Sequence, residues 1–243
     1  MFNLLVYKFG FSYPSNVHLL TDTIGNSADN VSTQNVIDEL HWLAREVRPG
    51  DIAVFYYAGH GSSDGFGSEW LVPHDERGML DTDFASNISR IDTNKLLVVL
   101  DMSYSGGFIT DGQTGLQGLL GVAPSWTDVA KDKPNGRVVL TACAQNIYSQ
   151  LGRVKLNRDA KSQLFWHYDT GLRYEMVFTH YLSMGFLGSA DSNGDGKVTV
   201  EEAFNFARSR AIFNPLDYYG LGQTPLMYDG YPAYGTSGNL YLG

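Results

Sequence analysis

Three short apolar runs punctuate the chain at residues 52–58 (IAVFYYA), 96–100 (LLVVL) and 137–142 (RVVLTA). Runs of this length with no polar alternation predict strands covered on both faces, as in a parallel sheet with helices on each side. Between them the period changes. From an N-cap at Ser32 to about Val47, the residues Val36, Ile37, Leu40, Leu43, Ala44 and Val47 share one helical face, while Asp38, Glu39, Arg45 and Glu46 lie off it. Pro49-Gly50-Asp51 ends that helix and turns into the first run. Two further helices are predicted over 175–187 and 200–213. Short strands are predicted at 17–21 (VHLLT) and at 69–73 (EWLVP), the latter after a Gly/Ser-rich loop and before a polar segment reaching Asp92. Residues 1–11 suit either a buried strand or the last turns of a helix, and 239–242 suits an edge strand. Alternating helix and strand implies an α/β fold in which the 52, 96 and 137 strands are central and the 17–21 strand lies nearer an edge. Residues 111–134 are Gly-rich and read as a surface excursion. Residues 145–171 have no clear period and read as a long loop carrying Arg153, Lys155, Arg158 and Lys161, which is a solvated stretch or a self-cleavage site.

At 243 residues and 43% hydrophobic, the chain can bury about 70% of its unfolded surface in one core, and no linker divides it, so a single domain is expected. A net charge of -9 argues against a nucleic-acid surface, because phosphate binding needs clustered Lys and Arg. There is no run of ~18 apolar residues to span a membrane and no signal-peptide pattern at the start. The one cysteine, Cys143, excludes an internal disulfide; at a strand end with no Gly-rich turn it reads as a small buried hydrophobe.

Candidate chemistry gathers at two strand ends. The 96–100 run passes into Asp101-Met102-Ser103-Tyr104-Ser105-Gly106-Gly107, a polar turn opening a helix. In open α/β sheets ligands bind at the carboxyl ends of strands, and glycines there let backbone approach a ligand closely. The 52–58 run ends in Gly59-His60-Gly61, which leaves an imidazole between two residues that shield nothing. Neighbouring strands would bring His60 and Ser103 together. The plainer alternatives are a structural histidine and a serine that only caps the following helix. Farther on, DSNGDGKVTVEE has the spacing of a calcium loop. Asp191, Asn193 and Asp195 take positions 1, 3 and 5, Gly196 makes the turn at 6, Lys197 offers its carbonyl at 7, Thr199 sits at 9, and Glu202 offers two oxygens at 12. The alternative is an Asx/Gly turn. Millimolar calcium outside cells would suit a single exposed loop, which favours an extracellular setting.

These motifs resemble the caspase-like cysteine peptidases, the group of metacaspases, legumains and their bacterial and archaeal relatives. In that family one strand ends in His-Gly, here YYAGHGSS, and a later one in Asp-x-Cys-x-Ser-Gly, here LDMSYSGG. The likeness runs from about residue 17 to 187, and relatives often carry a calcium loop near the C-terminus. It implies a three-layer αβα sandwich with a mostly parallel sheet, ending in an EF-hand-like calcium loop, and a peptide or protein substrate. By resemblance His60 is the acid/base and residue 103 the nucleophile, with the N–H groups of Gly61 and Ser103 as the oxyanion hole. Asp101 would line the pocket for the residue before the scissile bond and select Arg or Lys; otherwise it only braces the turn.

The chain departs from the pattern twice. Serine stands at 103 where the family has cysteine, and a serine hydroxyl needs a stronger base, oriented by an acid that is not evident. The family also opens with a central strand and a helix, whereas residues 1–11 cover only the end of that helix unless FNLLVYKF substitutes as a strand. Three readings follow: an endopeptidase with Ser103 at the nucleophile position, an inactive homologue that binds peptide or calcium, and a serine hydrolase. The last is weakened because a nucleophile elbow would read G-x-S-x-G, with the histidine after the serine.

Overall fold

The architecture is that of a computed structural model, which describes residues 1–21, 31–110, 136–149, 151–154, 173–212, 223–231 and 239–243. Its centre is a four-stranded sheet in the order β1 (Ala53–Ala58), β5 (Leu96–Asp101), β6 (Arg137–Thr141), β9 (Leu226–Asp229). The first three strands are parallel and β9 joins antiparallel. A second, antiparallel sheet is formed by β2 (His60–Ser63), β3 (Glu69–Val72) and β4 (Met79–Leu80). A third pairs β7 (Leu151–Val154) with β8 (Arg173–Met176).

The layers follow from the two-residue period of β5. Leu96, Val98 and Leu100 face one side, packing with Val36 and Leu40 of α1 (Thr33–Glu46) and with Phe84 and Ile88 of α2 (Asp81–Ser89). Leu97 and Val99 face the other side. There they meet Phe178 and Leu182 of α4 (Val177–Met184), Phe204 and Ala207 of α5 (Val200–Ala211), and Leu4. Every residue of β5 and β6 is buried, in keeping with the apolar stretches at 96–100 and 138–140, whereas three of the six residues of β1 are half-buried and one is exposed. Between β5 and β6 lies α3 (Gly107–Thr110). Ser32 caps α1 by accepting from the Asn35 N–H, as its position before the first apolar residue predicts.

Several sequence expectations are corrected. β1 is an edge strand of the described sheet rather than a central one, because residues 17–21 form no strand. That segment attaches through side chains: Val17 is buried and the His18 ring stacks on Trp42 at 3.7 Å. Residues 1–11 contain a single π-type turn at Leu4–Lys8, which resolves the strand-or-helix ambiguity towards helix. The stretch 239–242 is not an edge strand. Its backbone is used by a helix start, with Leu240 O accepting from the Val200 N–H at 2.8 Å and Leu240 N–H donating to Glu201 Oε1 at 3.0 Å. The polar segment before Asp92 contains α2, whose Phe84, Ala85 and Ile88 are buried at helical spacing. The Gly-rich excursion at 111–134 and most of 145–171 lie outside the described residues.

Candidate active site

The parallel pairing of β1 with β5 sets Ala58 opposite Asp101, and the Gly59 N–H donates to Asp101 O at 3.2 Å. His60 and Ser103 therefore leave the same edge of the sheet from adjacent strands. Their backbones touch: a Cβ on Gly61 would lie 2.1 Å from Ser103 O. Tyr57 pins the histidine from below, its hydroxyl lying 2.8 Å from Val72 O and 3.1 Å from His60 O. Burial pushes that phenol well above its usual range, so it stays protonated as the donor. The His60 ring is exposed. No hydrogen bond joins it to Ser103 Oγ, and among the described residues no carboxylate holds it.

Ser103 does not cap the following helix. Its Oγ accepts from the Ser149 N–H at 3.1 Å. The next residue, Tyr104, has φ 61°, a left-handed conformation that a bulky side chain adopts only when its surroundings impose it. Its N–H is tied to Ile147 O at 2.9 Å and its ring packs edge-on against Tyr148. The turn that presents residue 103 is thus held by the 144–149 loop after β6.

Asp101 is wholly buried beneath this turn. Its Oδ2 accepts from the Thr179 N–H (2.8 Å) and hydroxyl (2.6 Å), and its Oδ1 accepts from the Ser149 hydroxyl at 2.7 Å. Burial pushes the carboxyl up, while the bonds from Thr179 and Ser149 pull it back down. The network extends to Tyr56, whose hydroxyl lies 2.9 Å from Thr179 Oγ1, and to Gln223, whose Nε2 donates to Ser149 Oγ at 3.0 Å. Ser149 is consequently the residue that links position 103 to Asp101. Sequence reasoning missed it along with Thr179 and Gln223, because none stands in a recognisable pattern and all three converge from distant segments. Cys143 is buried with its thiol 3.0 Å from Ile147 O and 3.2 Å from Met102 O, and burial raises it, so it is a structural thiol rather than a nucleophile.

One consequence concerns Gly61. A methyl there meets backbone that cannot rotate aside, so Gly61→Ala should cost about 1–3 kcal/mol or more. In a chain of this size the melting temperature should fall by roughly 2–4 °C per kcal/mol. A thermal melt unchanged to within a degree would mean that the two strand ends are not in contact.

The loop at 191–202 is exposed over residues 192–197, anchored by buried Val198 and Val200, and folds on its own donors. Asp191 accepts from the N–H groups of Gly194 (2.8 Å) and Gly196 (3.0 Å), Asn193 Oδ1 from the Asp195 N–H, and Asp195 Oδ1 from the Lys197 N–H. Gly196 has φ 79°, the conformation expected of the sharp turn at position 6. Glu202 reaches back to the Thr199 N–H at 3.1 Å while Thr199 caps α5, a reciprocal capping box. As the side chains stand, no three acidic, histidine or cysteine side chains among the described residues converge on a common centre.

Part of this chain is similar to known proteins. Residues 1–111, which include both strand ends, match the profile "Metacaspase, peptidase C14 domain". Metacaspase-1 of Debaryomyces hansenii is 38% identical over 81 residues, which are 33% of this chain and 17% of that protein. Metacaspase-4 of Arabidopsis thaliana is 28% identical over 124 residues, 46% of this chain and 29% of the other. Metacaspase-1 of Plasmodium falciparum is 38% identical over 65 residues, 26% and 11% of the two chains. The matches thus span less than a third of these relatives. A solved structure from Geobacter sulfurreducens aligns with a TM-score of 0.47 at 17% identity, over 82% of this chain and 73% of that one. The likeness to metacaspases covers residues 1–111, within which both strand ends fall.

Proposed function

We propose that this metacaspase-related chain is a caspase-like endopeptidase domain that cleaves peptide bonds after basic residues, with Ser103 at the position of the nucleophile. The observation that carries the reading is the contact between the two strand ends, where Gly61 passes so close to Ser103 O that no side chain fits between them. In this reading His60 acts as general base and then acid, residue 103 attacks the carbonyl carbon, and the N–H groups of Gly61 and Ser103 receive the developing oxyanion. His60 would take the nucleophile's proton and return it to the leaving amine, and water would then release the acyl group by the reverse path. With serine in place, the unheld imidazole is too weak a base for rapid attack, so the present chain is expected to be nearly inert. The test is peptide hydrolysis by Ser103→Cys. The competing reading, a homologue that binds peptide without cleaving it, draws support from the absence of a His60–Ser103 hydrogen bond; catalytic contacts do, however, often tighten only when substrate is present.

Calcium at 191–202 belongs to the same proposal. Asp191, Asn193, Asp195 and Glu202 would supply side-chain oxygens and Lys197 its carbonyl, with Thr199 facing a water-mediated position. Support comes from the wrapping of the loop around Asp191, the positive φ at Gly196 and the helix that starts just after Thr199. Glu202 would have to trade its cap for the ion. Saturating calcium should then raise the melting temperature, by the equivalent of about 2.7 kcal/mol at a hundredfold excess over Kd. Glu202→Gln keeps an oxygen for the Thr199 cap and removes the charge, so it should blunt that response most. Titration calorimetry showing no heat up to millimolar calcium would leave only an Asx/Gly turn.

A further inference from the structure

Glu69 is an acidic residue, wholly buried, and burial pushes its carboxyl up. It sits on β3 opposite Ser63 of β2, the strand that begins with His60. Its Oε1 accepts from Ser63 Oγ at 3.3 Å and from Gln145 Nε2 at 3.1 Å, while its Oε2 has no partner among the described residues. A buried carboxyl left half-satisfied costs stability, so its retention calls for a use. The use is visible in what presses on it. A Cβ on Gly107 would lie 2.2 Å from Glu69 Cδ and 2.4 Å from Oε2, so the chain just after the nucleophile turn rests on this side chain. On the other side, a Cβ on Gly106 would lie 2.6 Å from the Gln145 nitrogen. The segment is gripped between Glu69 and the Ala144-Gln145 backbone, and the Gln145–Glu69 hydrogen bond closes the grip.

We propose that Glu69 is a positioning residue for the nucleophile: tied to Ser63 on the His60 strand and to Gln145 on the opposing loop, its side chain is the wall that fixes Gly107, and so sets where residue 103 stands relative to His60. This rests on the reading of His60 and residue 103 as the reacting pair. It acts by length and volume rather than charge. Gln at 69 keeps both, along with an acceptor for Ser63 and Gln145, whereas Ala opens a gap into which the turn can slide.

The test uses the full chain carrying Ser103→Cys and reads two quantities. The first is the rate at which the thiol introduced at position 103 is alkylated by iodoacetamide near pH 7; the native thiol, Cys143, is buried. A thiol aligned with an imidazole is largely thiolate, and an unaligned one only a few per cent, so Glu69→Ala should slow alkylation about tenfold or more. The second is peptide hydrolysis, in which Glu69→Ala should lower kcat about 10²-fold with KM nearly unchanged, as for a displacement of roughly 1 Å. Glu69→Gln should restore both. If Glu69→Ala does not fold, Gly107→Ala approaches the same contact from the other side and should slow alkylation similarly. Equal alkylation rates in the parent and in whichever of Glu69→Ala or Gly107→Ala folds would overturn the proposal, as would a Gln variant as impaired as Ala. Alkylation that depends on Glu69 in a protein that hydrolyses no peptide would uphold Glu69 and reject the peptidase reading instead.

Discussion

Ser103→Cys should convert this chain into an amide hydrolase, with a gain on the order of 10⁶ in kcat, the usual cost of losing a nucleophile while the remaining machinery stays in place. The base decides the difference. Among the described residues no acid orients the His60 ring, and a serine hydroxyl is a poor nucleophile without such support. A thiol asks for less, because its ordinary pKa near 8.5 lets a neighbouring imidazole ionise it. Sulfur also fits the site: the group at 103 is half-buried and its oxygen makes one described bond, from the Ser149 N–H, which a thiolate can equally accept. His60→Ala in the Ser103→Cys background should return hydrolysis to the level of the unsubstituted chain, and activity in that double variant would remove the imidazole from the mechanism. A folded Ser103→Cys protein with no turnover on any peptide tested would favour the peptide-binding homologue.

What could be read from the sequence was decided by local pattern. The runs at 96–100 and 137–142 announced buried strands because five consecutive apolar residues in the first, and residues 138–140 in the second, stand close to a turn and are too short for a helix, and α1 announced itself through its period and Ser32. The strand His60–Ser63 was hidden, since Gly and Ser have no strand preference and its pairing with β3 is made by backbone. The 239–242 segment misled for the converse reason: apolar alternation at Leu240 and Leu242 reflects burial, but its backbone caps α5 instead of joining a sheet. The placement of His60, Gly61, Asp101 and Ser103 at strand ends was legible because each stands in a motif there. Ser149, Thr179, Gln223 and Glu69 were not, because their roles arise from contacts across 46, 78, 74 and 76 residues of sequence.

Asp101 presents the sharpest division between bracing and recognition, and Asp101→Asn separates them. Every oxygen of the carboxylate is engaged in the structure: Thr179 occupies Oδ2 twice and the Ser149 hydroxyl occupies Oδ1. Those bonds tie the start of α4 and the 144–149 loop to the end of β5, which is bracing. Recognition needs one of them to yield, and Ser149 is the one that can, being half-buried beside the exposed Tyr148. A guanidinium entering there would meet Asp101 Oδ1 and, close by, Gln223 Oε1, a buried acceptor with no partner among the described residues. A carboxylate with a second acceptor on a neighbouring side chain matches the forked guanidinium of Arg better than the single ammonium of Lys. Asn at 101 preserves the bracing, since its oxygen can still accept from Thr179 and its amide can donate to the Ser149 hydroxyl, but it removes the charge. In the Ser103→Cys background Asp101→Asn should therefore leave the melting temperature within a few degrees and lower kcat/KM on peptides ending in Arg by about 10²–10³-fold, the loss expected when one member of a desolvated charge pair is removed. Matched fluorogenic peptides ending in Arg, Lys, Asn and Asp supply the reading. Cleavage after Arg that survives the substitution, or a preference for Asp or Asn in the Ser103→Cys protein, would reduce Asp101 to a brace and leave the pairing of His60 with position 103 standing.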